Sequence, residues 1–162
     1  MNISVFKNTT ATQQYDSLPF KKYLDHIKSG KWQDDVLDVR SGKKEKKVCE
    51  AVTPSGLFDK HRRANEIKSH SGFICIDIDK KENIDIDLME SRSYLYSDEY
   101  IHAGHVSISG NGLVLYVKIN PKKHIESFLG IEQYLANQYK IIIDTSCKDV
   151  SRLRYVSYDP EL

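Results

Sequence analysis

The stretch from Gly72 to Asp79 reads Gly-Phe-Ile-Cys-Ile-Asp-Ile-Asp, and a strand's period of two puts Phe73, Cys75, Asp77 and Asp79 on one side and Ile74, Ile76 and Ile78 on the other. Apolar residues on both faces predict a buried central strand. Two further β-rich runs, Tyr100 to Ser109 and Leu113 to Ile119, flank Gly110-Asn111-Gly112, and Asn-Gly between alternating runs predicts a hairpin. Helical spacing appears where Phe20, Tyr23, Leu24 and Ile27 share a stripe between Pro19 and Gly30, residues suited to a helix start and end. A second short helix holds Val36, Leu37 and Arg40, and a weak stripe over Asp87 to Leu95 predicts another. Past Pro121, a longer helix is expected to turn Ile125, Phe128, Leu129, Ile131, Leu135 and Tyr139 inward. It leads to a strand Ile141–Asp144 and a final alternating run from Arg152 to Tyr158.

From Gly72 the order is strand, helix, strand, hairpin, strand, helix, strand. That order predicts an α+β domain with an RRM-like split βαβ sheet, antiparallel or mixed, its helices packed on one face and the other face open for a ligand. Residues 1–70 read as a helical and loop extension, with Pro54-Ser55-Gly56 as a turn, and residues 71–162 as the core of a single domain. The stop at Asp159-Pro160-Glu161-Leu162 directly after a strand suggests a piece of a longer multidomain protein.

Charge changes this picture little: 24 Lys and Arg against 23 Asp and Glu leave +1, so the global field gives no argument for nucleic acid. Any such argument is local, from Lys43-Lys44-Glu45-Lys46-Lys47 and Lys60-His61-Arg62-Arg63, which could neutralise phosphates or form solvated loops. Three separated cysteines, Cys49, Cys75 and Cys147, argue against a disulfide framework or a structural zinc site. Without a signal-like start or a span-length apolar segment, a soluble cytoplasmic protein with no membrane partner is expected.

The candidate chemistry lies at strand ends. Asp77 and Asp79 project together, and like charges this close need an offset, for which a divalent cation is the usual candidate; a strand running into the polar turn Lys80-Lys81-Glu82-Asn83 explains them as well. Asp144 closes another apolar triplet, so three carboxylates could meet and suit Mg²⁺ or Mn²⁺. Ser107-Ile108-Ser109-Gly110-Asn111-Gly112 could hold a triphosphate on backbone and hydroxyl groups, or could serve the hairpin turn alone. Lys148, Arg152 and Arg154 bring positive charge close behind Asp144.

In combination, Ile74 to Asp79, Ser107 to Gly112, and Ile141 to Pro160 with its Ser151-Arg152-Leu153-Arg154 and Val156-Ser157-Tyr158-Asp159-Pro160 resemble the VirE-type N-terminal domain. That family is placed in the archaeo-eukaryotic primase, or primase-polymerase, superfamily and is often joined to a helicase-like ATPase in mobile elements and phages. Ile3 to Phe6 and Val52 to Phe58 resemble its amino-terminal portion.

The resemblance implies metal-dependent nucleotidyl transfer. Asp77, Asp79 and Asp144 would hold cations, and Ser107, Ser109, Gly110, Asn111, Gly112, Lys148, Arg152 and Arg154 would surround the phosphates. The partners implied are nucleoside triphosphates, a single-stranded DNA or RNA template and a helicase-like domain. Val114 stands where superfamily members usually carry a phosphate-contacting His, and His105, on the face of Ser107 and Ser109, is the candidate substitute. Two other readings compete: a non-catalytic binding module attached to a helicase, and a metal-dependent nuclease with Asp149 or Asp159 as an extra acid. Neutralising Asp77 and Asp79 together to Asn is expected to leave the fold intact.

Overall fold

The computed structural model describes residues 1–59 and 61–162; Lys60, in the second basic cluster, lies outside the described residues. The strands are β1 (Asn2–Phe6), β2 (Asp16–Pro19), β3 (Ala51–Thr53), β4 (Gly56–Phe58), β5 (Ile67–His70), β6 (Phe73–Asp79), β7 (Ile101–Val106), β8 (Gly112–Lys118) and β9 (Arg154–Tyr155). The helices are α1 (Phe20–Ser29), α2 (Gln33–Arg40), α3 (Leu88–Tyr96) and α4 (His124–Tyr139). The result is a mixed α+β fold with antiparallel sheets.

The central sheet has the order β6-β8-β7. Its β6–β8 register pairs Asp77 with Val114 and Asp79 with Gly112, and β7–β8 pairs His105 with Val114, so Asp77, Val114 and His105 form one row across a single face. The opposite face carries Ile74, Ile76, Ile78, Leu113, Leu115 and Val117 into a core with Leu88, Leu95, Phe128 and Leu135 of α3 and α4. Asp87 caps α3, its carboxylate accepting from the Met89 and Glu90 N–H groups, which a weak apolar stripe needs. Ile125 and Leu129 point outward, 53% and 54% exposed, against the expectation that they face inward. At about 100° per residue, Phe128 and Leu135 take the sheet-facing line, and a broader apolar arc than the sheet covers is left over.

The row face is closed over most of its length, contrary to the open platform expected. Cys75, Val114 and Tyr116 are buried against Phe20, Tyr23 and Ile27 of α1, Trp32 and Val36. The covering layer comes from residues 1–70, which hold five short strands besides α1 and α2. A second sheet has the order β2-β1-β3-β9. Thus most of the final run is not strand, and its two strand residues, Arg154 and Tyr155, pair with Val52 and Ala51 rather than with the central sheet. Residues 141–144 form no ladder either. They lie beside β6 through one backbone bond, Asp144 N–H to the Asp77 carbonyl at 2.9 Å, while the Asn83 side chain bonds both the N–H and the carbonyl of Ile142 at 2.8 Å each. Asn83 stands in for a missing strand partner.

Two buried histidine arrangements tie the layers together. His70 accepts from the Gly72 N–H at Nδ1, and its Nε2 lies 2.9 Å from His124 Nδ1, so His70 donates and His124 accepts. His105 is fully buried, bonded to the Val106 carbonyl at 2.8 Å and to the Tyr116 hydroxyl at 3.0 Å. Burial pushes both His70 and His105 from 6.5 down to about 4, the neighbouring His124 adding to the effect at His70. As pH falls the unfolded chain protonates first, so this contribution to stability is whole above pH 6.5 and drains away toward about 4, at up to about 1.4 kcal/mol per pH unit for the fully buried His105 and less for the half-buried His70. A melting temperature that drops across this window is expected; a flat one would contradict the arrangement.

Candidate functional site

At the end of the row face the covering layer stops short and leaves a polar pocket of about 400 Å³. Asp77, Asp79 and Asp144 all line it, with Ser107, Ser109, Val114, Arg152 and Arg154. Three segments meet because each is fixed locally. β6 delivers Asp77 and Asp79, the bond from Asp144 N–H holds the third acid beside Asp77, and the hairpin folds back over β6. Gly112 permits that last approach: a Cβ there would lie 2.6 Å from the Ile78 carbonyl oxygen. Gly110 has φ +80°, the left-handed conformation that glycine adopts without strain.

Each acid has a different neighbour. Asp77 Oδ2 accepts from Arg154 Nη1, and both residues are 8% exposed. Arg154 Nη2 also reaches Cys147 Sγ at 3.4 Å. Because Arg154 belongs to β9 and Asp77 to β6, this pair joins the two sheets. Asp144 Oδ2 accepts from Arg152 Nη2 at 2.9 Å, and its Oδ1 accepts from the Ser146 N–H and hydroxyl. Burial alone would raise the Asp144 carboxyl, but the Ser146 bonds and the charges of Arg152 and Arg154 hold it below the usual range. Asp79 has no arginine. Among the described residues its one ion-pair partner is Lys81 Nζ at 3.9 Å, and burial, with Asp77 and Glu82 nearby, pushes its carboxyl up.

Among the described residues no group of three His, Cys, Asp or Glu side chains is arranged to hold a metal, and two of the three carboxylates already hold arginines. What fits is a cation bound by one open carboxylate and completed by oxygen atoms of an anionic ligand, a common arrangement for Mg²⁺ with phosphates.

Lys46, Arg62, Lys81, Thr9 and Tyr155 also line the pocket. Lys46 and Arg62 come from the two basic clusters, whose charge patterning was the available signal. Neither has a carboxylate within 4 Å among the described residues. With Asp77, Asp79 and Asp144 offset by Arg154, Lys81 and Arg152, the pocket keeps two surplus positive charges.

Other expected residues lie elsewhere. Gly110, Asn111, Gly112 and Lys148 do not line the pocket; Gly110 abuts the Arg40 side chain, which bonds the Ser107 and Tyr158 carbonyls. His105 is turned into the interior and does not line the pocket, so it is not the phosphate-contacting substitute that the resemblance suggested. The extra acids of the nuclease reading are also engaged: Asp149 accepts from the Ser151 N–H and hydroxyl, and buried Asp159 accepts from the Val106 N–H at 2.8 Å. A roomier groove of about 830 Å³, between Phe20, Phe73 and His102, has a largely apolar wall and none of the three acids.

Fold and site together define an α+β domain with an acid-and-base-lined pocket at the end of its central sheet. The chain belongs to the family described as BT4734-like, N-terminal domain, whose family model matches residues 44–162. That span contains every aspartate, serine and arginine of the pocket. No curated protein and no solved structure was found to match the chain. Among the described residues no helix is long and apolar enough to cross a membrane.

Proposed function

We propose that this domain binds a nucleoside triphosphate in the polar pocket and acts as a primase-polymerase-like module in replication of a mobile element or phage, as the VirE-type resemblance implies. The observation that carries the reading is the charge balance. Once the acids are paired, Lys46 and Arg62 remain as unspent positive charge beside the Ser107 and Ser109 hydroxyls, which suits a polyphosphate better than a neutral ligand. The flanking order of residues 141–144, β6, β8 and β7 supports the RRM-like description of the core. Three buried free cysteines support a reducing, cytoplasmic setting.

In this reading Ser107, Ser109, Arg62, Lys46 and Arg152 orient the phosphates, and Arg154 keeps Asp77 in place. Of the expected set Asp77, Asp79 and Asp144, only Asp79 is free of arginine, and it would hold Mg²⁺ or Mn²⁺ together with phosphate oxygens, while Arg154 and Arg152 occupy the other two. The cation would supply charge neutralisation at the phosphates and activation of an attacking hydroxyl. A single-stranded DNA or RNA template and a helicase-like partner complete the proposal.

A binding module without catalysis is the second reading. It is favoured by the arginines seated on Asp77 and Asp144 and by Val114. Dinucleotide or primer synthesis on single-stranded DNA with Mn²⁺ and nucleoside triphosphates separates the two. Product that disappears in Asp79→Asn supports the enzyme; Mn²⁺-dependent nucleotide binding without product supports the binder. Absence of both overturns the nucleotide assignment.

A further inference from the structure

The polar pocket continues past Arg62. A second concavity of about 220 Å³, lined by Thr12, His61, Arg62 and Arg63, shares Arg62 with the first as a common wall. The backbone of Arg62 is pinned by its N–H to the Thr12 carbonyl at 3.3 Å, and its Nη1 donates to the Ser151 carbonyl at 3.2 Å. The side chain therefore bridges the amino-terminal loop and the segment just before Arg152. Its Nε is buried and unpartnered.

Beyond Arg62 no carboxylate lines the trough. Arg63 is 69% exposed at its side chain and meets Glu66 only at 3.5 Å, a surface pair that holds little energy. On the other side of Arg62, Lys46 Nζ lies 5.6 Å from the Tyr155 ring centroid, and Tyr155 is part-exposed in the pocket wall. A cationic trough that runs on past the nucleotide pocket, with a half-open aromatic ring beside it, has the two parts that single strands require: phosphate neutralisation and a stacking face.

We propose that the trough from Lys46 and Tyr155 through Arg62 to Arg63 is the track of a single-stranded nucleic acid, which enters the nucleotide pocket from the amino-terminal side. This rests on the nucleotide reading of the pocket, but the two fail separately. Arg63 borders only the second concavity, so reversing its charge leaves the triphosphate site untouched.

The test is fluorescence anisotropy with labelled deoxythymidine and uridine oligomers of about 15 nucleotides, beside calorimetry of Mn²⁺-nucleotide binding, on the full chain. Arg63→Glu is expected to weaken oligomer binding about tenfold and to lower the salt dependence by about one counterion per lost phosphate contact. Tyr155→Leu is expected to weaken it with the salt slope unchanged, a signature that general loss of structure would not give. Nucleotide binding by Arg63→Glu should stay within about twofold, and oligomer loss without nucleotide binding in the parent chain would sink the pocket reading while sustaining the trough. Oligomer affinity unchanged in both variants, no oligomer binding at low salt, or equal affinity for duplex overturns the proposal.

Discussion

Asp77→Asn is expected to destabilise the domain by about 3–5 kcal/mol, the typical cost of removing one partner from a buried ion pair. The carboxylate is the counter-charge of Arg154, and both groups are nearly out of solvent. An amide of the same shape leaves a guanidinium buried without a partner, and that guanidinium sits on β9, the strand that carries the second sheet to β6. Against a usual total of about 5–15 kcal/mol, such a loss reduces or abolishes folding at physiological temperature. With this pair in place, Asp77→Asn is expected to cost stability, so the double change of Asp77 and Asp79 should not leave the fold intact as expected from the sequence. Urea unfolding gives the measurement. Pairing Asp77→Asn with Arg154→Met should restore much of the loss, because the stranded charge goes with it. A single variant within about 1 kcal/mol of the parent would show that the pair carries no such weight.

Asp79→Asn is expected to behave in the opposite way, leaving stability intact and weakening Mn²⁺-dependent triphosphate binding by at least about tenfold. Among the described residues Asp79 has only an exposed Lys81 at 3.9 Å for a counter-charge, and it is crowded by Asp77 and Glu82. Its neutralisation thus relieves repulsion rather than stranding a cation. Without Mn²⁺ the same variant should bind nucleotide equally well or better, since one negative charge leaves the neighbourhood of the phosphates. Calorimetry with and without the metal reads both effects. Equal binding by parent and variant in Mn²⁺ would remove Asp79 from the site.

The elements with strong local periodicity were legible in the chain: β6 from its alternation, the β7–β8 pair from two β-rich runs around the glycines, although the turn falls at Ser107–Gly110 and Gly112 opens β8, α1 from its stripe between Pro19 and Gly30, and α4 from its long apolar repeat. The strands of the covering layer were not. β3 and β4 have three residues each, too short for a period of two to stand out, and they are specified by pairing with β1 and β5 rather than by local pattern.

The site was legible in part for the same reason. The acids and serines sit at ends of periodic runs and could be named, whereas partners come from contacts with no fixed spacing. Arg154 meets Asp77 across 77 positions, Asn83 braces Ile142 across 59, and Arg62 reaches Ser151 across 89. Lys148 and Asn111 looked like site residues because neighbours in sequence flank the pocket, yet the short turn at Thr145–Lys148 and the hairpin tip carry them away from it.

The central claim is that the polar pocket at the end of β6 receives the phosphates of a metal-borne nucleotide. Crystals of the domain grown with Mn²⁺ and a non-hydrolysable nucleoside triphosphate test it most directly. An anomalous manganese peak beside Asp79, with phosphate oxygens against Ser107, Lys46 and Arg62, is the result expected. Triphosphate found only in the apolar groove of Phe20, Phe73 and His102, or manganese found away from Asp79, would contradict it.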